Sequence, residues 1–151
     1  IDHGYARHLA DRLFTAQIAE TPSKEQLAEN IRTNTAKFVN RIKTMITEVR
    51  HIPDLAGVRN ILVTGRGEIK LVDINNISVI STDGCVITDD IGYPVCDKSI
   101  EALALIEKKL LSRRIKSDDP VYATLFQPDR QIEITKLDSI FHFSIQKKTS
   151  V

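Results

Sequence analysis

A long amphipathic run with a hard stop constrains this chain more than any other feature. Phe38, Val39, Ile42, Met45, Ile46 and Val49 recur at spacings of one, three and four, the period of a helix with one apolar face. Ser23 followed by Gln26 is a capping box, in which the hydroxyl takes a free N–H of the first turn. His51-Ile52-Pro53-Asp54 ends the run, because a proline pushes the residue before it out of the helical region. The pattern predicts a helix over about 24–50.

Two weaker helices flank it. Ala6, Leu9, Ala10, Leu13, Phe14 and Ile18 predict a helix over about 3–19, broken by Thr21-Pro22. Asp97 is a candidate N-cap for a helix to about 112, with Ile100, Leu103, Ile106 and Leu110 inward. Between these helices lie short β-prone runs. Strands are expected at about 59–64 and 68–74, joined by Gly65-Arg66-Gly67. A second pair is expected at 77–82 and 85–88, turned by Asp83-Gly84. A third is expected at 131–136 and 140–146, where Phe141, Phe143 and Ile145 alternate with His142 and Ser144. The fold class expected is α+β, mainly helical with small antiparallel β-hairpins.

The 151 residues fit one domain with a real core, and 42% hydrophobic with 27% charged residues is a globular composition. A net charge of +1 gives no reason to expect nucleic acid or a membrane surface. No apolar run approaches the ~20 residues that span a bilayer. The chain starts at Ile1 and is expected to be a fragment of a longer one. Cys85 and Cys96 lack zinc spacing and read as free structural thiols, which fits a cytoplasmic location. His3, His8 and His142 are too scattered to make a metal site, and Lys108-Lys109 with Arg113-Arg114 reads as a solvated helix end.

Chemistry concentrates in the first hairpin. Asn60 precedes its first strand and Asp73 follows its second. A hairpin of this length brings both to one end. An amide oxygen beside a carboxylate suits a hard cation such as Mg²⁺, which takes oxygen ligands and commonly keeps phosphate oxygens too. As an ordinary alternative, Asn and Asp at strand ends bond local backbone groups.

The order of these parts resembles the C-terminal lobe of the protein-kinase-like fold. There a long helix precedes a loop of the form H-R-D-L-x-x-x-N, and a hairpin leads from that Asn to the Asp of D-F-G. The resemblance covers residues of about 25–111 and is most specific over 51–73. It implies that Asn60 and Asp73 hold Mg²⁺ across the phosphates of ATP. It implies that Asp54 orients a hydroxyl acceptor and takes its proton. His51 matches the structural His of the loop, and Asp97 the Asp that ties the loop backbone from the helix behind it.

Departures accompany the match. Asp54 stands six residues before Asn60, where the family pattern has five. Ala56-Gly57 replaces the usual Lys, and D-F-G becomes Asp73-Ile74-Asn75. Residues 1–50 supply neither a Gly-rich loop nor a strand Lys. Three readings follow from the sequence: a diverged phosphotransferase using Mg²⁺ and ATP on an unknown hydroxyl acceptor, a pseudokinase that binds or regulates a protein partner, and an unrelated structural domain.

Overall fold

The computed structural model describes residues 22–81 and 84–149. The helix expected over 3–19, with His3 and His8, lies outside the described residues.

Helix α1 spans Lys24–Val49. Ser23 Oγ accepts the N–H of Gln26 at 3.2 Å, while the Gln26 amide turns outward to Asn30 Oδ1. The capping box is therefore closed on one side only. Thr35, Val39, Ile42 and Ile46 are buried at steps of four, three and four, so one stripe faces the core. Arg50 ends the helix in a left-handed conformation, φ 53°, and its N–H reaches Met45 O.

Strand β1, His51–Pro53, leaves that turn directly. It pairs antiparallel with β4, Ile77–Val79, in the register His51↔Val79, Ile52↔Ser78 and Pro53↔Ile77. Strands β2, Ile61–Val63, and β3, Ile69–Leu71, form the expected hairpin. Its turn is anchored on α1, since Asn30 Nδ2 donates to Arg66 O and Asn34 Nδ2 to Gly67 O. Gly67 has φ +82°, and a Cβ there would fall 2.8 Å from the Asn30 Cβ, so both conformation and space require glycine.

Helix α2 spans Val95–Leu110. A 3₁₀ turn at Ala123–Phe126 leads to helix α3, Pro128–Thr149. The core lies where α1, β1 and α2 meet, around Val39, Ile42, Ile52, Leu55, Ile100 and Leu103. Tyr122 is fully buried there. Its hydroxyl donates to Glu107 Oε2 at 2.7 Å. Lys43 bridges Glu107 and Asp119 at 2.9 and 2.8 Å and lies over the Tyr122 ring.

The α+β class with small antiparallel pairs is as expected, and two elements are corrected. Strand β4 takes β1 as its partner, and 85–88 is not a strand. Asp83 of the expected turn lies outside the described residues. The C-terminal hairpin expected over 131–146 is part of α3. Arg130, Ile134, Asp138 and Phe141 anchor that segment to the body at steps of four, four and three, which only a helix can satisfy. Thr135 and Ser139 return their hydroxyls to carbonyls four residues back, so both stay compatible with a helix.

Candidate functional site

The candidate residues gather where the two small sheets meet. Asp54 follows β1 directly. Its backbone N–H donates to Asn76 O at 2.8 Å, which carries the β1–β4 ladder one residue further. Its carboxylate turns back over its own loop, where Oδ1 accepts Ala56 N–H at 3.0 Å and Gly57 N–H at 2.9 Å. That Asx-type turn fixes the loop.

Residues 57–60 then turn sharply, and Asn60 N–H closes the turn on Gly57 O at 3.2 Å. Arg59 occupies the third position with φ 73°, where glycine or asparagine is usual. Holding a non-glycine side chain there costs about 1–2 kcal/mol.

Asn60 then enters the hairpin. Its carbonyl accepts Val72 N–H at 2.8 Å, so the β2–β3 ladder extends to the doorstep of Asp73. Its side-chain Nδ2 donates to Asp54 O at 2.9 Å. That bond fixes which way the amide points and leaves Oδ1 as its remaining acceptor. Asp73 Oδ1 accepts Asn75 N–H at 3.0 Å, and Oδ2 accepts Asn76 Nδ2 at 3.4 Å. Asn60, Asp54, Asn76 and Asp73 are thus linked in one hydrogen-bonded chain. Gly57 sits inside it. A Cβ at Gly57 would fall 2.3 Å from Asn60 Nδ2 and 2.8 Å from Asp54 Oδ2.

Two residues expected nearby do other work. His51 donates Nδ1–H to Val49 O at 2.5 Å, so it staples β1 to the end of α1 and does not hold the loop. Asp97 is not the N-cap of α2, because Pro94 holds that position. Its carboxylate is fully buried and paired to Arg130 of α3, at 2.7 Å from Nε and 3.2 Å from Nη2. Ser99, one half-turn on, ties the loop instead: its Oγ accepts the buried Leu55 N–H at 3.0 Å. Sequence reading missed Ser99, since a lone serine in a helix carries no signal of a distant backbone partner.

Tyr93 borders the site. Burial, then the Asp138 carboxylate, raises its phenol above the ordinary value, with Lys98 opposing and Asp54 and Glu101 adding less. Its ring rests against Phe141 of α3, with centroids 4.7 Å apart.

The oxygen donors here are the Asn60 amide oxygen and the carboxylates of Asp73 and Asp54, both of which already accept hydrogen bonds from neighbouring residues. An ionised carboxylate offers about four acceptor sites, so the bonds Asp73 already accepts leave room for a metal. Among the described residues, no group of three or more His, Cys, Asp or Glu side chains is arranged to hold a metal ion, so any cation here depends on Asn60 and on ligands from outside. No helix of the described residues is long and apolar enough to cross a membrane.

Comparison with protein-family models, with curated proteins and with solved structures returns no match.

Proposed function

We propose that this chain carries the catalytic loop and metal-binding hairpin of a diverged kinase-like protein, and that its activity is Mg²⁺- and ATP-dependent phosphotransfer to a hydroxyl acceptor. The observation that carries this reading is the Asn60 side chain donating to the Asp54 carbonyl while its own carbonyl pairs with Val72, beside Asp73. One amide thereby fixes both the loop and the hairpin end, and its oxygen is left for a cation. The order helix, β1, loop, β2–β3 hairpin, Asp73, β4, helix supports the same reading, as does pairing of β1 with β4 around the loop.

In this reading Asn60 Oδ1 and Asp73 hold Mg²⁺. Bound there, the ion would neutralise charge on the ATP phosphates, and most of the rate in phosphoryl transfer comes from such positioning and neutralisation. Asp54 is the group nearest the acceptor. The acceptor hydroxyl oxygen bonds to the γ-phosphorus while the bond from phosphorus to the β–γ bridging oxygen breaks. ADP leaves with that electron pair, and the hydroxyl proton passes to the Asp54 carboxylate. Val72, Ile74, Ile77 and Val79 are all about half exposed or more beside the site. In this reading an N-terminal lobe covers that apolar surface and supplies the rest of the nucleotide site.

A specific observation favours the pseudokinase as the second reading. Asp54 Oδ1 already accepts two backbone N–H groups of its own loop, and no lysine stands beside it. Its carboxylate is therefore used in part for structure.

The test is γ-phosphate transfer from Mg·ATP to water or a polyol panel by the full-length protein, beside Asp73→Ala. Turnover that disappears in the variant supports phosphotransfer. Absent turnover, with Mg·ATP still raising the melting temperature of the wild type alone, selects the pseudokinase. Neither turnover nor nucleotide binding rejects both readings.

A further inference from the structure

Basic residues cluster over the last turn of α2 and the segment that follows it. Five cations, Lys108, Lys109, Arg113, Arg114 and Lys116, fall within nine residues, and no acidic residue stands between them. A chain with a net charge of only +1 has therefore placed a local excess here.

The segment borders a concavity. Ser112 turns left-handed after α2, φ 53°, and sends the chain back along the helix. Ala104 and Leu105 of α2 form one wall, and Ile115 with Leu125 the other. A cavity of about 300 Å³ opens between them. A second of about 340 Å³ shares Ala104, Lys108, Ile115 and Leu125 with the first and runs on to Arg114 and Phe126. The two are one groove, and it continues past Phe126 toward Lys116. Its lining is apolar where a globular surface is usually polar: Leu105 is 56% exposed and Phe126 48%. Exposed apolar surface of this kind with a polar rim marks interaction sites.

The rim is cationic along one side. Arg113 is partly neutralised by Glu107 at 3.2 Å. Lys108, Arg114 and Lys116 carry no ion pair among the described residues. Glu101, the acid at one end, is matched by Lys98 at 2.6 Å, and Asp118 lines the other end beside Lys116.

We infer that this groove docks an acidic amphipathic peptide segment of a partner protein. Two apolar side chains one helical turn apart would enter the two cavities, and carboxylates beside them would meet Lys108, Arg114 and Lys116. This is the helix-in-groove mode, with apolar anchors for affinity and charge for register and selectivity. A nucleic acid is disfavoured because the floor is mainly aliphatic and Phe126 is its lone aromatic ring, whereas single strands need stacking platforms.

Selection of a displayed random 12-residue peptide library on the full chain tests this. Enriched peptides are then synthesised with a fluorophore, and affinities are measured by polarisation at 50 and 300 mM salt. Acidic sequences with apolar pairs three or four apart should enrich. Affinity should fall tenfold or more in Lys108→Glu/Arg114→Glu and in Leu105→Asp, and should weaken with salt. Lys37→Glu, which alters a basic residue on α1, should bind like the wild type. All four positions are exposed, so circular dichroism and the melting temperature are expected to stay unchanged and would expose a folding defect. The proposal is overturned if no family enriches, if the enriched peptides are not acidic, or if binding survives both groove variants. Comparable binding of a poly-uridine oligonucleotide or of anionic phosphatidylserine vesicles, lost in the same variants, overturns it in favour of those ligands.

Discussion

Replacing Gly57 by alanine tests whether the Asn60–Asp54 contact organises the loop. Gly57 does not have a positive φ, so the backbone itself accepts alanine. At such a position the substitution ordinarily stabilises by about 0.4–1 kcal/mol, because it restricts the unfolded chain. Here the new methyl would fall 2.3 Å from Asn60 Nδ2 and 2.8 Å from both Asn60 Cγ and Asp54 Oδ2. The amide must swing away, which breaks its 2.9 Å bond to Asp54 O. Overpacking of this kind costs about 1–3 kcal/mol, and the lost hydrogen bond about 1 kcal/mol. Against the entropic gain, the net effect is a destabilisation of about 1–3 kcal/mol. Urea denaturation followed by far-UV circular dichroism reads it as a lower midpoint at constant slope. Gly57→Ala/Asn60→Ala removes the obstructing amide and should recover part of the loss. A single variant as stable as the wild type, or more so, would mean that Asn60 does not pack over Gly57 as described.

Three further outcomes follow. Arg59→Gly should stabilise by roughly 1 kcal/mol, because the left-handed conformation at φ 73° then carries no Cβ penalty; thermal melts measure it, and a destabilisation would contradict the turn. Arg130→Leu leaves the fully buried Asp97 without its partner and should cost about 3–5 kcal/mol; Asp97→Leu/Arg130→Leu should regain much of that in the same denaturation assay. Burial alone would raise the Glu107 carboxyl, but bonds from Tyr122, Lys43 and Arg113 outweigh it and hold the group below its ordinary 4.5. A lowered folded value contributes stability that is present above the ordinary value and is lost as pH falls through the folded one. Tyr122→Phe should therefore be about 1.5–3 kcal/mol less stable at pH 7, and the gap should narrow as pH drops below 4.5; a gap that stays constant with pH would refute the coupling.

What the sequence disclosed depended on whether the deciding contacts were local. Helix α1 was legible to within a residue at each end, because both Ser23 and Pro53 act on their immediate neighbours. The β2–β3 hairpin was legible for the same reason, through Gly65-Arg66-Gly67. Strand β4 was legible as a strand, but its partner lies about two dozen residues upstream, and Asp83-Gly84 offered a nearer one. Helix α3 was misread because its apolar residues do not form a single stripe. The alternation over 141–145 looks like a strand, yet Ile134 and Phe141 pack inward while Ile140 and Phe143 face solvent. The buried Arg130–Asp97 pair, the Lys98–Asp138 pair and the Phe141–Tyr93 contact show which face is docked, and all are tertiary.

At the site, the placing of Asn60 and Asp73 at one end of the hairpin was legible, because the hairpin register fixes it. The role of Asp97 was not. Its expected task, tying down the loop, falls to Ser99, and its carboxylate serves Arg130 instead. Nothing in a single sequence distinguishes those two arrangements, since Asp97 and Ser99 lie on the same helical turn.

The most direct test of the proposed divalent-cation site is paramagnetic broadening by Mn²⁺ in ¹H–¹⁵N spectra of the protein, with Mg²⁺ as competitor. Cross-peaks of Asn60, Asp73 and Asn76, including the two asparagine side-chain amides, should broaden first, recover on adding Mg²⁺, and stay sharp in Asp73→Ala. Broadening centred elsewhere, or unchanged in Asp73→Ala, would show that Asn60 and Asp73 do not hold a cation, and the kinase-like reading would lose its support.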